Sequence, residues 1–162
     1  MPVTFQGESA FRDWICAELG KLLPPKEWYM VKGKNVADIL VSWQDEENPV
    51  LIFLEVKYHK KIHGRTGFGN HKGEGYQVEY LRNKMPYLEK HLRWVIGDEA
   101  SDSALILTNE EVRKYPAGGI IREGKQNNFH SGFFKKEKLN AVPMADLPRK
   151  LAEILQQMVK TL

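Results

Sequence analysis

NVADILVSWQDEENPVLIFLEVKYH, residues 35–59, holds two apolar runs on either side of a polar cluster. Residues 36–43 are rich in Val, Ile, Leu and Trp, and residues 50–57 are almost continuously apolar until Glu55 and Lys57. Asp45-Glu46-Glu47-Asn48 followed by Pro49 is turn chemistry, so the stretch predicts an antiparallel hairpin. With the turn centred between Glu46 and Glu47, Leu40 falls opposite Phe53 and Asp38 opposite Glu55. Directly opposite residues hold their Cβ atoms about 4.5–5.5 Å apart, where like charges repel. Two carboxylates that close, at the end of apolar strands, ask for a cation. Lys57, two residues past Glu55, lies on the same face. Asp38, Glu55 and Lys57 are therefore predicted to form one cluster. A surface ion pair of Glu55 with Lys57 or Lys34 is the plainer reading, and the apolar character of the strand weighs against it.

Alternation places Asp38, Leu40 and Ser42 with Leu51, Phe53, Glu55 and Lys57 on one face. Ile39, Val41 and Trp43 share the other with Val50, Ile52 and Leu54. Both faces are mostly apolar, so both must be covered, which predicts an α/β fold with a central mixed sheet flanked by helices on both sides.

Outward from the hairpin, residues 8–23 predict an amphipathic helix on Phe11, Trp14, Ile15, Leu19, Leu22 and Leu23, stopped by Pro24-Pro25. Glu8 falls on or beside its apolar stripe. It reads equally as a first-turn acid favoured by the helix dipole or as a third acid aimed at the hairpin. Trp28 to Val31 predicts a first strand, and Lys32 and Lys34 follow it as phosphate contacts or ordinary turn residues. Residues 58–73 carry four Lys or Arg, three His, four Gly and no acid. This reads as a long basic loop suited to close approach by a phosphate chain, with Lys60, Lys61, Arg65 and Lys72 as candidate nucleic-acid contacts. His59 and His63 have metal spacing only on a helix, which the glycines oppose.

Glu74 to about Val95 predicts a long helix kinked or divided at Pro86, with Gln77, Leu81, Leu88, Leu92 and Val95 approximating one face. Residues 103–108 predict a buried strand. Residues 109–115 predict a short helix with Asn109 as its cap. Around Phe129-His130 aromatic and basic residues interleave, as in a substrate-facing hairpin or an edge strand guarded by lysines. An amphipathic helix from about Ala145 to Leu162 closes the chain.

At 162 residues the chain fits one domain, 1–162, with a core of about 8–115 and a C-terminal extension from 116 to 162. The net charge of +3 and pI near 8.9 permit nucleic acid as a partner without demanding it. The lone Cys16 excludes an internal disulfide and a cysteine-based zinc site. No apolar run is long enough to span a membrane, and the N-terminus lacks signal-peptide regions. The expectation is a soluble, cytoplasmic protein of prokaryotic or phage-like character.

The pieces Val36-Ala37-Asp38-Ile39-Leu40-Val41 and Phe53-Leu54-Glu55-Val56-Lys57 resemble the PD-(D/E)XK nuclease superfamily, with Ala37 where the motif's proline would stand. The resemblance implies a restriction-endonuclease-like α-β-β-β-α-β core over about residues 8–115. It implies a Mg²⁺-dependent deoxyribonuclease in which Mn²⁺ substitutes. Asp38, Glu55 and the Val56 carbonyl would be metal ligands, and Lys57 would position or deprotonate the attacking water. Several branches, Holliday-junction resolvases among them, carry a helix glutamate such as Glu8, and some carry a supporting glutamine such as Gln77. The implied partner is DNA, and the implied assembly a homodimer, because cutting two strands with one site per subunit needs two copies. A restriction-like endonuclease ranks first and a junction resolvase or other repair nuclease second. A catalytically silent DNA-binding module, or an α/β protein in which the triplet is a chance ion pair, are the readings from other classes.

Overall fold

A computed structural model describes residues 2–32, 37–61, 65–67, 86–113, 128–130 and 140–162. Helix α1 (Glu8–Leu22) leads into β1 (Trp28–Lys32), β2 (Ile39–Trp43) and β3 (Val50–His59). Then come β4 (Arg65–Gly67), a short α2 (Pro86–Glu89), β5 (Leu92–Asp98), β6 (Ser103–Thr108) and α3 (Asn109–Arg113). The chain ends with β7 (Asn128–His130), β8 (Val142–Pro143), a 3-10 turn and α4 (Leu147–Thr161).

Six strands form one mixed sheet in the order β1-β2-β3-β5-β6-β8. All its neighbours are antiparallel except β3 and β5, which run parallel. The hairpin register is the one its turn implies: Leu40 pairs with Phe53 and Ile39 with Leu54. The Asp45 carboxylate closes the turn by accepting the Glu47 and Asn48 amides, each at 3.0 Å.

The larger core lies on the face of Ile39, Val41, Ile52, Leu54 and Val56. Phe11, Ile15 and Leu19 from α1 pack there, spaced four apart as a helical stripe requires. Leu147, Leu151 and Leu155 from α4 share the same core. The segment after residue 115 is thus no appendage, since β8 extends the sheet and α4 packs on α1. The opposite face carries a smaller core of Phe53, Trp94, Ile96, Leu105 and Leu107, closed in part by Val112 of α3. No helix among the described residues is long and apolar enough to cross a membrane.

Four sequence expectations change. Residues 92–95 are strand, not the end of a long helix: Leu92-Arg93-Trp94-Val95-Ile96 forms most of β5. Leu88, Leu92 and Val95 mimic a helical face by spacing, yet the aromatic and β-branched run fits a pleated surface buried on both sides. Pro86 starts α2, where its missing N–H costs nothing. The part of the predicted helix from 74 to 85, with Gln77, lies outside the described residues. Second, between Leu92 and Thr108 there are two strands where one was expected, β5 beside β3 and residues 103–108 as β6 one place further out. Third, Asn109 is not the cap of α3. Thr108 accepts the Glu111 amide at 3.1 Å while Glu111 accepts the Thr108 amide at 2.7 Å, a reciprocal capping box. Fourth, the basic stretch is not loop throughout, because Tyr58 and His59 end β3 and Arg65–Gly67 pair with Asn128–His130.

Candidate active site

β2 begins at Ile39, and Asp38 stands one residue before it. The next amide of β3 would lose its partner there. The Asp38 carboxylate replaces that partner, its Oδ2 accepting the Val56 N–H at 2.8 Å. Asp38 is thereby held against the β3 backbone between Glu55 and Lys57. Glu55 is 4% exposed, an unusual burial for a carboxylate. The Lys57 ammonium donates to Glu55 Oε1 at 3.1 Å and lies 3.5 Å from Glu8 Oε1.

Glu8 reaches the cluster because the chain before and within α1 is anchored. The Phe5 amide donates to the Tyr58 hydroxyl at 3.3 Å, and the Lys60 ammonium to the Gln6 carbonyl at 3.2 Å. The rings of Phe5, Phe11 and Tyr58 pack in tilted and edge-on contacts with centroids 5.1–5.3 Å apart. The first residue of α1 is thereby pinned over the end of β3. Both sequence readings of Glu8 meet here, for it is the first-turn acid of α1 and is also directed at Lys57 on the hairpin.

Burial works to lower the Lys57 pKa, but Glu55, Glu8 and Asp38 outweigh it, so the ammonium titrates above the ordinary lysine value. A metal ion would disfavour the charged lysine; in the chain alone the balance runs the other way. For Glu8, burial raises the pKa, Lys57 lowers it and Asp38 raises it, with a net rise. A raised carboxylate pKa binds the proton more tightly in the folded state, so the ionised Glu8 opposes folding as pH rises through that pKa. Glu8→Gln should therefore melt no lower than wild type at neutral pH, measured by thermal unfolding. A merely structural salt-bridge partner would instead lose stability on that change.

The carboxylates of Asp38, Glu55 and Glu8 thus gather around the Lys57 ammonium. Hard carboxylate oxygens are the ligand type that suits Mg²⁺ or Mn²⁺. Asp38, Glu55 and the Val56 carbonyl are the residues that would hold the ion, and waters would complete its shell. Among the described residues no group of three or more His, Cys, Asp or Glu side chains is itself arranged to hold a metal.

Of the predicted nucleic-acid contacts, Lys60 is tied to Gln6, and Lys61 is exposed with its amide on Glu99 at 2.8 Å. Arg65 lies in β4, where only the backbone is described. Lys34 and Lys72 lie outside the described residues. The parallel pairing adds a feature that sequence reasoning missed. It sets His59 beside Asp98, with Nδ1 at 2.9 Å from Oδ1, both buried. Asp98 Oδ2 also accepts the Ser101 amide at 3.0 Å and hydroxyl at 2.5 Å. No local signal joins residues 59 and 98; a strand reading of 92–98 would have been the route to them. No protein-family model matches this chain, and no curated protein matches its sequence.

Proposed function

We propose that this protein is a metal-dependent endonuclease that hydrolyses DNA phosphodiester bonds, restriction-endonuclease-like in its core. The observation that carries this reading is the convergence of Asp38, Glu55, Lys57 and Glu8 at the end of one strand pair. The antiparallel run β1-β2-β3 followed by a parallel β5 also supports it, since an α-β-β-β-α-β core of this kind needs those neighbours.

Asp38 and Glu55, with the Val56 carbonyl, would hold the cation, and Mg²⁺ bound there would supply Lewis acidity toward the phosphate and lower the pKa of a water. Lys57, at the same strand end, positions or deprotonates the attacking water, or offsets charge that develops on the phosphoryl oxygens. Glu8 holds the Lys57 ammonium from the α1 side and accepts a hydrogen bond from a water at the mouth of the site.

The placement of Glu8 favours a second reading, a junction resolvase, because the resemblance associates a helix glutamate with that branch. Both readings use the same chemistry and a homodimer. A cleavage panel of supercoiled plasmid, linear duplex, single strands and a four-way junction, with Mg²⁺, Mn²⁺ or EDTA, decides between them. Cutting with either metal and none in EDTA is expected. Preference for the duplex assigns the first reading and preference for the junction the second. Salt-sensitive DNA binding without cutting under any condition would replace both with a silent binding module.

A further inference from the structure

A cavity of about 300 Å³ opens where the start of β5 meets the end of β6, and Glu89, Lys90, Arg93, Thr108, Asn109 and Glu110 are among its lining residues. It is separate from the carboxylate cluster. Arg93 pairs with Leu54 across β3 and with Thr108 across β6, and strand alternation turns it to the face opposite Glu55.

Most polar groups around the cavity are committed. Thr108 and Glu111 cap each other. The Asn109 side chain is fully buried, accepting from Trp94 Nε1 and donating to Glu89 Oε1, both at 3.0 Å. The cations differ. Arg93 is half-buried, and its Nη1 donates to the carbonyls of Lys90 and Leu92, at 3.0 and 2.8 Å. Among the described residues no carboxylate lies within ion-pair distance of its guanidinium. A guanidinium has five N–H donors, and the two carbonyl bonds orient the group without exhausting them. Lys90 is exposed and lines the same cavity. Burial pulls the Arg93 pKa down, with Glu111 opposing, as for a desolvated cation whose charge is only partly offset. An oriented guanidinium and an adjacent ammonium facing a concave space form the donor set that phosphate oxyanions take.

We propose that this cavity binds a nucleoside phosphate, with Arg93 and Lys90 on the phosphoryl oxygens and the rest of the concave volume taking the nucleoside. The volume is at the lower end for small-ligand sites, which suits one nucleotide and no more. The shared chemistry is a terminal nucleoside phosphate, either a free mononucleotide or the phosphorylated end of a strand. The site stands independently of the proposed cleavage.

Calorimetric titration of the full chain in EDTA tests it. The probes are inorganic phosphate, adenosine, adenosine monophosphate and a short single strand with or without a 5′-phosphate. Adenosine monophosphate should bind about tenfold or more tighter than adenosine, and Arg93→Gln should remove about that factor. Lys90→Ala should weaken binding severalfold; its side chain is exposed and the substitution keeps the carbonyl that orients Arg93, so it decides the matter if Arg93→Gln unfolds. Tighter binding of the 5′-phosphorylated strand than of the mononucleotide assigns a strand end, and the reverse order assigns the free nucleotide. Absence of saturable binding by every phosphate probe at millimolar concentration overturns the proposal, and so does binding that neither Arg93→Gln nor Lys90→Ala changes.

Discussion

Lys57→Ala is expected to lower metal-dependent DNA cleavage by about a hundredfold or more and, separately, to destabilise the fold. The catalytic loss follows from removing a cation aimed at developing phosphoryl charge, worth about 10²–10³ in rate for one such donor. The stability loss has a different origin. Glu55 and Lys57 are side chains with only 6% and 12% exposure, and deleting one partner leaves the other's charge buried without its main compensation. Breaking such a pair costs about 3–5 kcal/mol. Urea titration and initial cleavage rates read the two effects independently. The double variant Glu55→Gln with Lys57→Met removes both charges while keeping comparable volume, so stability should return toward wild type while cleavage stays lost. Recovery of cleavage in that variant would show the cluster to be structural. The pH profile supplies a further check. The folded pKa of Lys57 lies above its unfolded value, so its stabilising contribution is present at neutral pH and is lost as pH rises through the elevated value. The alanine variant should lack that alkaline decline.

Gly97→Ala is expected to destabilise the protein by about 1–3 kcal/mol and to lower cleavage as well. A Cβ at this position would lie 2.8 Å from Phe11 Cζ and from Tyr58 Cδ2, and 2.9 Å from Phe11 Cε1. Neither ring has room to yield. Phe11 is fully buried, Tyr58 is 6% exposed, and their centroids are 5.2 Å apart within the Phe5 cluster. The cheapest relief is outward movement of the first turn of α1. Glu8 is one turn before Phe11, so that movement draws its carboxylate away from Lys57. In a domain of this size each kcal/mol lowers the melting temperature by about 2–4 °C. Phe11→Leu in the Gly97→Ala background removes the ring edge that collides, so the double variant should melt higher than the sum of the single effects allows. Strict additivity would mean that the two positions do not touch, contrary to the packing.

The contrast between the hairpin and β5 shows which information is local. Asp38, Glu55 and Lys57 were legible as a cluster because one turn and one period of two relate them. Once Asp45 to Pro49 closes the chain, the facing pairs follow from counting, and a one-residue slip would turn the apolar set of β3 to the wrong side. The α1 stripe was legible for the same reason, since Phe11, Ile15 and Leu19 lie within one element. The apolar run at 92–96 carried no such local decision. Leu88, Leu92 and Val95 satisfy helical spacing, and an uninterrupted run buried on both faces has no alternation to mark it as strand. Its identity was settled by a parallel partner, β3, nearly forty residues earlier in the chain.

The hairpin, its register, the first helix and the acid-acid-lysine set were therefore determined by the sequence alone, because each rests on periodicity and turn chemistry within a short span. Only the tertiary structure decided the rest. It brought Glu8 to Lys57 through aromatic packing on Tyr58, set Asp98 against His59 through parallel pairing, and made Gly97 the contact point between sheet and helix. It also gathered Lys90, Arg93 and Asn109 around one cavity from two separate strand ends. Those placements depend on contacts between residues far apart in the chain. Such contacts form only after loop-closure entropy has been offset by burial, and no local pattern of side chains encodes them.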